Sequence, residues 1–164
     1  AEIPLFSLIP QVTDVVSVPV IAAGGIADAR GVVAAFALGA EGVQLGTRFV
    51  AVQENIAHSK YKQAILNAGD TDTAITCRKL LPTRSLKTEF TRRLLQLEES
   101  GASASDFREF LGYSRARTGQ IEGDLENGEA YSGASAGLIK EILPTAEVIH
   151  RIVEEYQKVI KKIT

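Results

Sequence analysis

The residues whose type and spacing best suit chemistry are glycines. Residues 18–26 read VPVIAAGGI and residues 42–49 read GVQLGTRF, two apolar runs that stop at Gly24-Gly25 and at Gly46. A strand ending in glycine lets a ligand approach the backbone, because no Cβ intervenes and the amide N–H groups can turn outward. A helix N-terminus just beyond such a turn favours an anion. Thr47 adds a hydroxyl donor. On adjacent parallel strands both turns lie on one edge, so their donors converge on a single phosphate, as they do after strands seven and eight of many (β/α)8 barrels. Either motif alone is also an ordinary way to leave a strand, and the pair in succession is the stronger signal. No GxGxxG follows the first strand and no acidic residue closes the second, which argues against a dinucleotide fold.

The other chemically capable side chains carry blander readings. Arg48 follows the second turn and reads equally as an anion contact or as an outward salt bridge. His58, in AHSKYK, reads as a packing or capping residue of a helix rather than a base, and His150 as a surface residue of the last helix. Cys77 has no base nearby in sequence and reads as structural. Asp70 and Asp72 flank Thr71 without the spacing of a calcium loop. Glu122, Asp124, Glu126 and Glu129, in EGDLENGE, read as a solvated loop rather than a metal site.

These residues must be positioned by alternating elements. Leu5, Leu8, Ile9, Val12, Val15 and Val16 have helical spacing over 5–16, with Pro10 expected in the first turn and Ser7 as a cap. Residues 18–24 are continuously apolar and β-branched, the pattern of a parallel strand buried on both faces, with Pro19 at its start. Asp28 caps a helix over 28–38 whose apolar stripe is Val32, Val33, Phe36 and Ala37, and Gly39 closes it. A second strand follows at 42–46. After Phe49 strands are expected to stop. Helices are expected at 54–68, at 83–99 with Glu89 paired to Arg93, and at 106–111 capped by Ser105. A short extended piece falls at 72–80, and 112–135 is rich in glycine and polar residues. A last helix over 145–163 starts after Pro144, with Ile149, Ile152, Val153, Tyr156 and Ile160 on one face. Two parallel strands do not make a stable sheet alone. Further strands are therefore expected upstream of residue 1, and the chain by itself is expected to expose apolar strand edges and to pair or aggregate.

The bulk numbers bound the setting. The 164 residues suit one domain, and a net charge of -2 gives no general attraction for nucleic acid or an anionic membrane. Lys158, Lys161 and Lys162 make a basic helix end that complements the helix dipole. No apolar run approaches the ~20 residues of a membrane span. A single cysteine points to a reducing, cytoplasmic setting. The N-terminus lacks the basic start of a signal peptide, and the absence of any methionine leads to the expectation that the chain begins inside a longer polypeptide.

The stretches VPVIAAGGIAD, ALGAEGVQLGTRF, AHSKYK, IEGDLENGE and ASAGLIKEI together resemble the C-terminal half of the nitronate monooxygenase family. That family was formerly called 2-nitropropane dioxygenases, and it includes the flavin-dependent enoyl-acyl-carrier-protein reductases. The resemblance implies an α/β fold, the C-terminal part of an FMN-bearing (β/α)8 TIM barrel with a helical C-terminal insertion. Residues 5–16 would be the sixth helix, 18–24 the seventh strand and 42–46 the eighth. By the same resemblance, 1–69 belong to the FMN-binding barrel, 70–135 to a helical and loop insertion, and 136–164 to the final barrel helix region. FMN contacts fall on Gly25, Gln44, Leu45, Gly46 and Thr47, with Gly24 as a further neighbour. The implied activity is oxidation of alkyl nitronates by dioxygen. The alternative is FMN-dependent reduction of an enoyl thioester with NAD(P)H, and a third reading of another class is a non-catalytic phosphate-binding half-barrel. Ala134 stands where the family often has the glutamine of a GQSAGLI-like motif. The family's catalytic histidine lies in a GGH-like segment before the sixth helix. This chain holds no such segment, so no catalytic residue is assigned in it, and His58 does not take that role. The implied partners are a small-molecule substrate and the missing N-terminal half of the barrel or a second chain, which is compatible with a homo-oligomer. The 112–135 stretch is expected to form part of the substrate mouth.

Overall fold

The computed structural model describes residues 3–163. Helix α1 spans Leu5–Thr13. Pro10 lies inside it rather than in its first turn, and the N-cap is Pro4 with no side-chain cap, so Ser7 does not serve as one. Val15 and Val16 fall beyond its end and are exposed. Strand β1, Ile21–Ala23, pairs in parallel with β2, Gly42–Gln44, in the register Ile21↔Gly42, Ala22↔Val43, Ala23↔Gln44. Both strands are shorter than their apolar runs. The expectation that the first is buried on both faces is not met: Ala22 is buried, whereas Ile21 is 56% exposed and Ala23 is exposed too. Successive strand side chains point to opposite faces. One face packs with Ile9, Val32 and Ala35, and on the other Ile21 and Ala23 are exposed among the described residues.

Between the strands lies α2, Ala29–Ala37, started by Asp28, whose side chain accepts from the amides of Arg30 and Gly31. Burial raises the Asp28 pKa, but the Arg30 side chain and the Gly31 amide outweigh it and hold the carboxyl below its usual value. Phe36, expected in the buried stripe, is half-exposed and meets Tyr156 edge-on at 5.9 Å between ring centroids. Tyr156 belongs to α8, Thr145–Ile163, which follows Pro144 as expected and packs on α2. Its apolar face is only partly used. Ile152 and Tyr156 join the core below β1, while Ile149 and Val153 are exposed.

The helix at 54–68 is shorter than expected: α4 begins only at Ser59 and runs to Asn67. A separate single turn, α3, spans Thr47–Val50 ahead of it. Residues 51–53 are drawn into extended pairing instead, through the Val52↔Leu143 bridge and the Gln53 amide on the Leu143 carbonyl. Strands do not stop after Phe49. β3, Thr73–Thr76, and β4, Thr83–Leu86, form an antiparallel hairpin. This second sheet is separate and does not extend the parallel pair. The 83–99 helix is therefore corrected to β4 followed by α5, Glu89–Glu99, capped by Thr88. Non-local pairing overrides helix propensity here: the Leu86 amide donates to the Ala130 carbonyl, and the Thr91 hydroxyl to the Leu86 carbonyl. Glu89 pairs with Arg92 rather than Arg93, whose guanidinium reaches the Glu126 carbonyl. Helix α6, Ala104–Leu111, is capped by Ser103 in a capping box with Asp106, two residues before the expected Ser105. A short α7, Arg115–Gln120, precedes a 3-10 turn at Ala134–Leu138. Tyr61, Ile65, Leu86 and Ile139 centre one core, which joins the hairpin to α4, and Cys77, Phe90, Leu94 and Phe107 centre another under α5 and α6. Among the described residues the arrangement is α/β with two small sheets and no closed barrel.

Candidate functional site

The β1–β2 register sets Ala23 beside Gln44, so Gly24-Gly25 and Leu45-Gly46 leave the sheet side by side. Gly24 has φ +110° and Gly25 φ +66°, left-handed values that glycine alone adopts freely. A Cβ built on Gly24, Gly25 or Gly46 would meet nothing within 4 Å. The turns therefore present bare backbone to open space. That space is a cavity of about 370 Å3, lined by Gly24, Gly25, Gln44, Gly46 and Thr47 together with Gly133 and Ser135. Leu45 does not line it. Its side chain packs on the core of Ile9, Ala22 and Val32, which leaves only its main chain to face a ligand.

The Asp28 carboxylate takes up two first-turn amides of α2, those of Arg30 and Gly31, which leaves that helix end less free for an anion than the sequence alone implies. Thr47 is better placed. Its Oγ1 accepts the Gly133 N–H at 2.8 Å, and a hydroxyl that accepts keeps its own proton to donate. Gly133 and Ser135 were not identified from the sequence as neighbours of the cradle. The GASAGLI stretch carried a signal only through its departure at Ala134.

Other candidates are placed elsewhere. Arg48 turns inward and is 7% exposed. Its Nη2 donates to the carbonyls of Ala51, at 2.6 Å, and Glu141, at 2.8 Å, so it neither faces the cradle nor makes an outward salt bridge. Burial lowers its pKa, with Glu141 opposing. His58 caps α4, its Nδ1 accepting the Lys60 amide, and its ring packs against Gly123. His150 lies on the exposed face of α8, 3.6 Å from Glu154. Cys77 is buried, and burial raises its thiol pKa. Asp124 accepts from the amides of Glu126 and Asn127, a turn-forming role.

A second cavity, about 280 Å3, adjoins the first through Gly46, Thr47 and Gly133, and is completed by Tyr61, Arg84, Gln120 and Tyr131. A larger one, about 560 Å3, is lined by α1 and α2 with Ile75 and Arg84 of the hairpin, and also touches Gly24-Gly25. Its lining is apolar apart from Arg84.

The sequence model for nitronate monooxygenase matches residues 1–155. The chain belongs to this family. A probable nitronate monooxygenase of Staphylococcus aureus strain MSSA476 is 37% identical over 158 residues, covering 94% of this chain and 43% of the relative. The structure of FabK from Thermotoga maritima superposes with a TM-score of 0.93 at 44% identity, covering 99% of this chain and 52% of that one. Nitroalkane oxidase from Streptomyces ansochromogenes superposes with a TM-score of 0.81 at 28% identity, covering 99% and 46%. This nitronate monooxygenase family chain thus spans about half the length of the relatives it matches. The family is one of flavin-dependent oxidoreductases.

Proposed function

We propose that the full-length protein is an FMN-dependent reductase that reduces an enoyl thioester with a nicotinamide donor, and that this chain holds the FMN phosphate. The observation that carries the reading is the open cradle. Gly24, Gly25 and Gly46 leave room that a side chain would fill, and the Thr47 hydroxyl stands beside it with a proton to donate. Gln44 lines the cradle, and Leu45 contributes its main chain only. FMN when bound supplies two-electron redox chemistry that no side chain provides. The residues of this chain bind and orient it.

The reductase reading is favoured by the greater likeness to FabK, at 44% identity, than to nitroalkane oxidase, at 28%. A second reading, oxidation of alkyl nitronates by dioxygen, is favoured by the family match and by the Staphylococcus aureus relative. Purified full-length protein should show a flavin spectrum, and mass spectrometry should identify FMN. NAD(P)H consumption that depends on an enoyl thioester supports the first reading. Oxygen uptake that depends on a nitronate, with no thioester turnover, replaces it by the second. A full-length protein without flavin overturns both.

A further inference from the structure

Glu129 is a buried carboxylate for which the proposed function has no use. It is 7% exposed, and its carboxylate accepts a hydrogen bond from the Tyr131 hydroxyl. Burial raises its pKa, with the Tyr131 hydrogen bond working the other way. Burial and then Glu129 itself keep the Tyr131 phenol protonated. Burying a carboxylate against one phenol is costly, and an apolar pair of similar volume would fill the space without that cost.

Tyr131 is also held by its backbone. It bridges to Ser85 of β4, and its carbonyl accepts the hydroxyl of the buried Tyr61. On its other flank the Ser132 amide donates to the Arg84 carbonyl, and Gly133 donates to Thr47 at the cradle. Yet Tyr131 is 38% exposed, because it lines the cavity that shares Gly46, Thr47 and Gly133 with the cradle. Gln120 lines the same cavity, and its side-chain nitrogen has no hydrogen-bond partner among the described residues. Backbone pairing places the Cα of Tyr131 but leaves its ring free to turn. The bond to Glu129 is what stops it turning.

We infer that Glu129 is a positioning residue that acts through Tyr131: by anchoring the phenol hydroxyl it fixes the ring as a wall of the cavity beside the cofactor cradle, and that wall selects substrates by bulk. The inference rests on the proposed function and on taking this cavity, which includes Gln120 and Tyr131 of the expected 112–135 substrate mouth, as the place where substrate enters. Glu129 touches no substrate, and Tyr131 determines specificity.

The test uses the full-length flavoprotein. Glu129→Leu and Tyr131→Phe each release the ring. Each should raise KM about five-fold while kcat changes less than about two-fold, since positioning rather than chemistry is lost. The double variant should be no worse than either single, because the two side chains act as one unit. Glu129→Gln keeps an acceptor for the hydroxyl and should rescue KM. Tyr131→Ala should shift relative kcat/KM toward substrates branched near the reacting carbons by about ten-fold. FMN content, read from visible absorbance, should be unchanged throughout, which separates these effects from loss of fold. A turning-over enzyme whose KM and branched-substrate preference do not respond to these variants overturns the inference alone. A full-length protein that binds FMN but turns over neither enoyl thioester nor nitronate overturns the proposed function and this inference with it.

Discussion

At the scale of single residues, the cradle depends on atoms that are absent as much as on those present. Gly25 has φ +66°, and open space stands where its Cβ would be. Thr47 joins that backbone to residue 133 and keeps a donor for a phosphate oxygen. If Thr47 donates to the FMN phosphate as proposed, replacing it by alanine removes a hydrogen bond to a charged group, worth about 1.5–3 kcal/mol, so FMN affinity should fall by about ten-fold or more. Thr47→Ser should retain most of it. Fluorescence titration of the flavin-free full-length protein measures both. Glu129 makes a prediction in pH. Its folded pKa is raised by burial above the ordinary value of 4.5, so the folded state holds the proton more tightly than the unfolded state does. That stabilising share is full below 4.5 and is lost as pH rises through the raised folded value. Tyr131 and Cys77 are the titratable groups that interact with it, and both have raised pKa values. Glu129→Gln should therefore melt higher than the parent above neutral pH, and the difference should shrink on acidification, as thermal melts across the pH range will show.

At the scale of elements, capping decides where the helix behind the cradle begins. Asp28 starts α2 three residues after Gly25 and fixes how the chain leaves the turn. Asp28→Ala should cost about 1 kcal/mol in chemical denaturation, most of it from the lost cap. Little of the loss should come from the Arg30 ion pair, which is exposed on the arginine side. Because the Asp28 pKa is lowered, its contribution is present above the unfolded value and is lost as pH falls through the folded one. The deficit of the variant should accordingly vanish in acid. The β3–β4 hairpin teaches a different lesson. Residues 83–86 carry no strong strand signature, and they become strand because Thr76, Ala130 and Ser132 supply partners that no helix would use.

At the scale of the whole molecule, the chain presents an unfinished surface. Val18 is 65% exposed, Ile21 56% and Phe6 73%, and among the described residues β1 and β2 each have one sheet neighbour. Unpaired strand edges and apolar faces of this kind drive association. The 164-residue chain expressed alone should therefore self-associate, and light scattering after size exclusion will show it. A monodisperse monomer would count against this. No helix among the described residues is long and apolar enough to cross a membrane.

The sequence by itself determined what short-range forces decide. The glycine turns, the Asp28 cap, α2 and the start of α8 after Pro144 follow from backbone freedom, side-chain-to-amide hydrogen bonds and periodicity, all of which act over a few residues. Of the residues that line the cradle, Gly24, Gly25, Gly46 and Thr47 were legible for that reason, and Gln44 through the family resemblance. Tertiary structure alone decided the rest. Thr47 meets Gly133 across 86 positions, and Arg48 meets the Glu141 carbonyl across 93. Leu45 turns to the core because Ile9 and Val32 are there, and the 83–86 strand forms because a distant segment pairs with it. Such contacts depend on which surfaces the folded chain brings together, and no local pattern of residue types encodes them.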